Sequence, residues 1–269
     1  MIETESTALF ISLIFIVIAM LLSMHKRLGL EKEILYSTGR AFVQLIAVGY
    51  ILQYIFASQN RIAIILALLA MTIIAGYHAG QKARGMPRLK VYVTAIIGIT
   101  SVVVLSLLLL LGVMDFSARF LIPVGSMVIG NSMITSGIVL NRIQQEFSNR
   151  QEQLLAALSL GASSRQAAEP LTMASMKAGI VPTLDAMKTM GLVQLPGMMI
   201  GALIAGESPM IAVRYQIVVI FAVLSAVVLS GILLSTMIYR LYFTRTHQLK
   251  MPLSAPSRLP LSSYSSSRR

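Results

Sequence analysis

Seven long apolar runs dominate this sequence: Ala8–Met24, Ala41–Phe56, Ile62–Gly80, Val91–Met114, Phe120–Leu140, Ile180–Ala205 and Tyr215–Tyr239. About 20 apolar residues in a helix cross the hydrocarbon core of a bilayer. Lipid offers no partner for free backbone groups, so runs of this kind must be helices. Only 12% of the residues are charged and 56% are hydrophobic, whereas a soluble domain is about a quarter charged. The expectation is an all-α, polytopic protein of the cell membrane with about seven transmembrane helices. Residues 1–250 form one membrane domain, and the basic, Ser- and Pro-rich tail 251–269 is too polar to bury a core.

Basic residues orient the runs. With the N-terminus outside and the C-terminus cytoplasmic, only Arg61, Arg119 and Arg214 of the 22 Lys and Arg fall outside. The inner segments hold the rest, as the positive-inside rule requires. The net charge of +12 is therefore a matter of topology. Basic residues do not alternate with aromatic ones, so no nucleic-acid partner is expected. Lipid is the expected surround.

Leu28–Arg40 reads as an amphipathic lead-in along the inner surface, and Arg40 and Gln44 share a face one turn apart. The fourth run, almost free of polar groups, reads as a lipid-facing helix with a packing role. In the fifth, Ser126, Gly130 and Gly137 lie near one face and invite close helix approach. Asn131, deep in that run, either joins helices or touches substrate, with Met133 beside it. The sixth is bent at its entry by Pro182 and interrupted at Pro196-Gly197, where a backbone donor is missing. Gly197, Gly201 and Ala205 repeat at four-residue spacing. Asp185 and Lys188 can pair at its inner mouth, either as a structural bridge or as part of a vestibule. Glu207 marks its outer exit. A pathway along this run would be lined by Gln194, Pro196, Gly197, Met198 and Met199.

The only long polar connection, residues 141–177, lies between the fifth and sixth runs. Arg142, Glu146, Arg150 and Glu152 read as a solvated face of its first helix. Leu154, Leu155, Leu158 and Leu160 make the next stretch amphipathic. Gly161 suits a helix C-cap, and Ser163-Ser164-Arg165-Gln166 reads as a capping box starting a second helix. The product is a cytoplasmic elbow.

Chemistry is limited by what is missing. The chain has no cysteine, and its three histidines, His25, His78 and His247, are scattered, so no metal cluster is expected. A lone interfacial His78 reads as structural rather than as a ligand, and most of the 17 methionines read as packing residues. No Gly-x-x-x-x-Gly-Lys-Ser/Thr phosphate loop occurs, nor a zinc-protease or Ser-nucleophile motif. The chain is thus expected not to be an enzyme. Proton coupling needs an acid within a span, and here Asp185 and Glu207 sit at run ends.

Ala156-Ala157-Leu158-Ser159-Leu160-Gly161-Ala162-Ser163, then Gln166-Ala167 and Ile180-Val181-Pro182, resembles the cytoplasmic coupling loop of ABC-transporter permeases, with Leu155 standing where that loop usually carries an acid. More widely, Arg40, Gln44-Leu45, Gly49-Tyr50, Ile122-Pro123, Gly130-Asn131-Ser132-Met133, Pro182-Thr183-Leu184-Asp185, Lys188-Thr189, Gly191 through Met199 and Arg214-Tyr215-Gln216-Ile217 are similar to the FetB family of proposed iron-export permeases, over roughly residues 8–250. Plant relatives of that family are linked to aluminium tolerance. The resemblance implies a permease subunit paired with a second copy of itself and with a separate cytoplasmic ATPase that binds ATP and Mg. It also implies coupling through Leu154, Ala157, Leu158, Leu160, Gly161, Ala162 and Gln166, and iron as cargo. A small organic anion or nucleotide sugar, or an ion-coupled secondary transporter, are the alternatives.

Overall fold

A computed structural model describes residues 2–58, 60–81, 87–244 and 248–249. Every regular element among the described residues is a helix, with no strand. The expected disordered tail at 251–269 lies outside them, as do residues 82–86 of the basic inner loop 81–90. The helices are α1 (Ile2–His25), α2 (Glu31–Ser58), α3 (Arg61–Gln81), α4 (Pro87–Leu110), α5 (Ala118–Asn149), α6 (Gln151–Ser159), α7 (Ser164–Thr189), α8 (Gly197–Ile204) and α9 (Pro209–Tyr242). Five of them, α2, α3, α4, α5 and α9, are long and apolar enough to cross a membrane. A shorter apolar stretch, Leu13–His25, lies in α1.

The chain divides into two compact units, one ending at Asn60 and the other starting at Arg61. In the first, α2 is continuous from Glu31, so the expected lead-in and second span are one helix rather than two. Glu31 and Glu33 in its first turn favour that early start by opposing the helix dipole. The Ser23 hydroxyl donates to Glu31 at 2.9 Å across the α1–α2 turn.

The second unit is built around α5, which packs on α3, α4, α7 and α9. More than half of its apolar window, 56%, is buried, against 6% for α2. At 32 residues it is roughly 48 Å long, about 18 Å more than the hydrocarbon core. The excess carries the chain out to α6. The core runs from Ala75 and Ala79 on α3 through Leu89, Val93, Ile96 and Ile97 on α4 to Leu140, Ile143 and Phe147 on α5 and Leu234 and Ile238 on α9. Leu89, Val93, Ile96, Ile97, Thr100 and Ser101 give α4 a buried face while Val91, Val102, Leu107 and Leu110 stay exposed, so the fourth run has both a packed and an outward side. A helix apolar all round does not reveal from composition which side meets lipid and which meets protein.

Of the glycines expected to allow close helix approach, Gly137 is buried on α5. A methyl group on Gly130 would meet open space. The tight crossings are elsewhere. A methyl on Gly80 of α3 would lie 2.8 Å from the Lys90 Cα of α4, and one on Gly179 of α7 would lie 2.5 Å from a Val139 methyl of α5. Small residues let those backbones meet.

The sixth run is not one kinked span. α7 starts at the elbow, passes through Pro170 and Pro182 and ends at Thr189. A non-helical stretch follows, and α8 has only eight residues, roughly 12 Å and too short to cross alone.

Candidate functional site

Two features stand out, one before and one after α7. The first is the elbow. Leu160 ends α6, and Gly161 follows with φ +90°, a left-handed conformation that costs glycine nothing. The Gly161 amide donates to the Leu158 carbonyl at 3.0 Å and the Ala162 amide to Ala157 at 3.1 Å, the paired closure of a Schellman C-cap. Ser163 then caps α7. Its hydroxyl oxygen accepts the Gln166 amide at 3.4 Å, and Gln166 Oε1 accepts the Ser163 amide at 2.9 Å. Both the glycine stop and the capping box read from sequence are present. Helix exit and entry are thus fixed on both sides of a four-residue turn, Leu160–Ser163.

The base of the elbow is anchored and its tip is free. Leu154 is 1% exposed, whereas Leu160 is 89% exposed. Ala157 and Leu158 lie half-buried against the core, and Gln166 faces outward. Under the base, the Phe147 ring lies 4.5 Å from that of Tyr242 and 6.1 Å from that of Phe243. This cluster ties the end of α5 to the end of α9.

Glu146 completes the base and corrects the solvated-face reading at that one residue, whereas Arg142, Arg150 and Glu152 are exposed. The Glu146 side chain is only 7% exposed, with Arg142 Nη2 at 2.7 Å and Arg150 Nε at 3.0 Å. A carboxylate survives burial when charge-assisted hydrogen bonds replace its water. The Arg142, Glu146 and Arg150 spacing is that of an exposed helix face, and the burial of Glu146 between its exposed partners is not visible in it.

The second feature is the break between α7 and α8. The Thr189 carbonyl accepts the amides of Leu192 and Val193, and the Gly191 amide donates to the Gln194 carbonyl at 2.9 Å. Gly191 has φ +82°, so the turn requires its freedom. Gln194 and Gly197 face outward, and Pro196 and Met199 are half-buried. Met198 joins Asp115, Met114, Phe120, Tyr215 and Val219 in lining a cavity of about 150 Å³. Glu207 is exposed just after α8.

The remaining sequence candidates lie apart. Asn131 donates to the Met127 carbonyl of its own helix at 2.8 Å, so its partner is local backbone and not a neighbouring helix. Met133 packs on the core. Lys188 and Asp185 pair at 2.7 Å on an exposed face of α7. Among the described residues no group of three or more His, Asp or Glu could hold a metal ion. Sequence reasoning passed over Gln216. It is buried on α9, its amide nitrogen faces the Met190 sulfur at 3.9 Å, and its carbonyl oxygen has no hydrogen-bond partner.

Long apolar helices around α5, a capped elbow and a broken helix define a multi-pass membrane protein. Residues 6–243 match the model of the uncharacterised protein family UPF0014, and the chain belongs to that family. It is 37% identical over 243 residues to the UPF0014 membrane protein YjkA of Bacillus subtilis, covering 90% of this chain and 97% of the relative. It is 39% identical over 250 residues to the Escherichia coli protein named "Probable iron export permease protein FetB", covering 92% and 95%. Identity to the Arabidopsis thaliana protein ALUMINUM SENSITIVE 3 is 36% over 239 residues, covering 89% and 88%. No solved structure matches the chain significantly.

Proposed function

We propose that this chain is the permease subunit of an ABC transporter that exports iron or a related metal, driven by ATP and Mg bound on a separate cytoplasmic ATPase. The observation that carries this reading is the elbow: a stiff turn with an apolar tip at Leu160 and a base locked into α5 and α9. An exposed leucine on a rigid turn suits insertion into a groove of a partner. A base that cannot yield passes the partner's movement to the long helices.

The charge asymmetry supports a cytoplasmic elbow and an outer N-terminus. In that orientation α1, α2, α3, α4, α5 and α9 each cross, and α7 with α8 makes a broken sixth crossing of seven. Two copies pair about a two-fold axis, since a single chain offers one elbow and ABC ATPases close as pairs. The name of the Escherichia coli relative supports iron and the outward direction.

The test is purification from native membrane in mild detergent, with ATPase assayed with and without Fe²⁺. Recovery of an ABC ATPase whose Fe²⁺-stimulated activity is lost in Leu160→Asp supports the reading. Recovery of the chain with no ATPase, or stimulation indifferent to Leu160→Asp, contradicts it.

A further inference from the structure

A cavity of about 190 Å³ opens between α7 and α9 next to the elbow. The two helices run antiparallel along it, since Ser235 meets the Met176 sulfur at 3.8 Å and Gly231 faces Ile180. The lining therefore changes in kind with depth. Arg165 and Glu169, in the first two turns of α7, stand at the elbow end. The hydroxyl-bearing Tyr239, Thr172 and Thr236 come next, and Met176 and Ile232 lie deepest. About three turns further along the same stripes, Leu184 on α7 and Phe221 on α9 are exposed. Charge gives way to hydroxyl and then to apolar surface, which is the order of groups in a phospholipid.

The charges at the mouth are open. Among the described residues, Arg142, Glu146 and Arg150 close into ion pairs at four-residue spacing, whereas Arg165 and Glu169 stay apart at the same spacing. Both are exposed, one positive and one negative, with Cβ atoms about 6 Å apart. Thr172 and Thr236 already donate to backbone carbonyls, at 3.0 and 2.8 Å, so what they offer a ligand is acceptor lone pairs. The cavity is also smaller than the roughly 300 Å³ that encloses a whole small molecule. It suits the head of a larger ligand whose remainder lies outside.

We propose that this cleft holds the head of a zwitterionic aminophospholipid of the inner leaflet. Its phosphate meets Arg165, its ammonium meets Glu169 and the threonine oxygens, and its chains lie on α7 and α9. The leaflet rests on the cytoplasmic elbow proposed above, whereas the headgroup chemistry does not. Cationic pockets between membrane helices bind lipid phosphates. Glu169 adds the selection: it repels a head that carries only negative charge, and a primary ammonium donates to it three ways where a quaternary one cannot.

The experiment is native mass spectrometry of the purified full-length protein in detergent, with phosphatidylethanolamine, phosphatidylglycerol or phosphatidylcholine added and soluble phosphoethanolamine as competitor. One phosphatidylethanolamine per chain is expected to bind about ten-fold more tightly than phosphatidylglycerol, the worth of one charge-assisted hydrogen bond. Glu169→Gln is expected to erase that preference, and Arg165→Gln to weaken all three lipids about ten-fold. Arg165→Lys, and Lys177→Gln outside the cleft, are expected to leave binding as it is. All three positions are exposed, so melting without lipid should not change. Equal binding of the three lipids, or a preference untouched by Glu169→Gln, overturns the proposal. Binding lost equally in Lys177→Gln overturns it too, as does a disulfide between two copies of Ile232→Cys with no lipid retained, which puts a second copy in the cleft. Full competition by soluble phosphoethanolamine overturns the lipid in favour of a free phosphate compound. Labelling of the elbow from outside overturns the leaflet and the orientation above, and leaves the measured headgroup preference standing.

Discussion

Arg150 holds Glu146 twice. Its Nε lies 3.0 Å from the buried carboxylate, and its backbone amide donates to the Glu146 carbonyl at 3.0 Å. The Arg150 carbonyl in turn accepts the Leu154 amide at 3.0 Å. One residue therefore joins the end of α5 to the start of α6 through both side chain and main chain. The elbow swings, if it swings, together with α5.

Breaking that joint has an asymmetric cost. Glu146→Ala leaves two arginines facing each other without their shared partner and should destabilise by about 2 kcal/mol. Arg142→Ala leaves Arg150 in place and should cost about 1 kcal/mol, since Arg142 is half exposed and its partner is still paired. Thermal melts of the purified variants in one detergent give the comparison. Equal losses would mean that the carboxylate is not the centre of the cluster.

The helix crossings predict opposite effects of adding side-chain bulk at two glycines. Gly179→Val should cost about 2–3 kcal/mol, because α7 cannot back away from Thr135 and Val139 without opening the core. Gly130→Ala adds a methyl into open space and should stabilise by up to about 1 kcal/mol through reduced backbone freedom in the unfolded chain. Melting temperatures that fall in both would show that a partner occupies the Gly130 face.

The turn of the elbow should be fragile at two positions for different reasons. Gly161→Val puts a β-branched residue at φ +90° and should cost about 2 kcal/mol or more. Ser163→Ala removes the cap from α7 and should cost about 1 kcal/mol. Hydrogen exchange of residues 160–168 should rise in both variants, with little change in the interior of α9.

The base and tip of the elbow should separate folding from coupling. Leu154→Ala empties a buried site and should cost about 3 kcal/mol. Leu160→Ala should change stability by less than about 0.5 kcal/mol yet lower Fe²⁺-stimulated ATPase activity several-fold. Melts and ATPase assays on the same preparations check this. A Leu160→Ala protein with lowered stability and full stimulation would reverse the assignment.

The pattern of what the sequence revealed has a physical cause. Gly161 and the Ser163–Gln166 box are local devices, completed within five residues, so reading them needed no tertiary knowledge. The all-helical, membrane-crossing class followed from run length alone. Glu146 was misread because an i, i+4 ladder of opposite charges has the same spacing on an exposed face as on a buried one. Which side of α4 packs was not legible because lipid and protein core select the same side chains. Gln216 lay inside a motif that carried the family resemblance, but one amide in an apolar run says nothing of its partners. Its meaning depends on Met190, 26 residues away.

The absence of cysteine makes the most direct test clean. A single cysteine introduced by Leu160→Cys, and as a control by Leu192→Cys in the α7–α8 break, can be followed without background. The account predicts that Leu160→Cys is labelled only from the cytoplasmic side and cross-links to the ATPase, with a yield that changes on ATP binding, whereas Leu192→Cys does not cross-link. Labelling of Leu160→Cys from outside, or a cross-link to the ATPase from Leu192→Cys and none from Leu160→Cys, would contradict it.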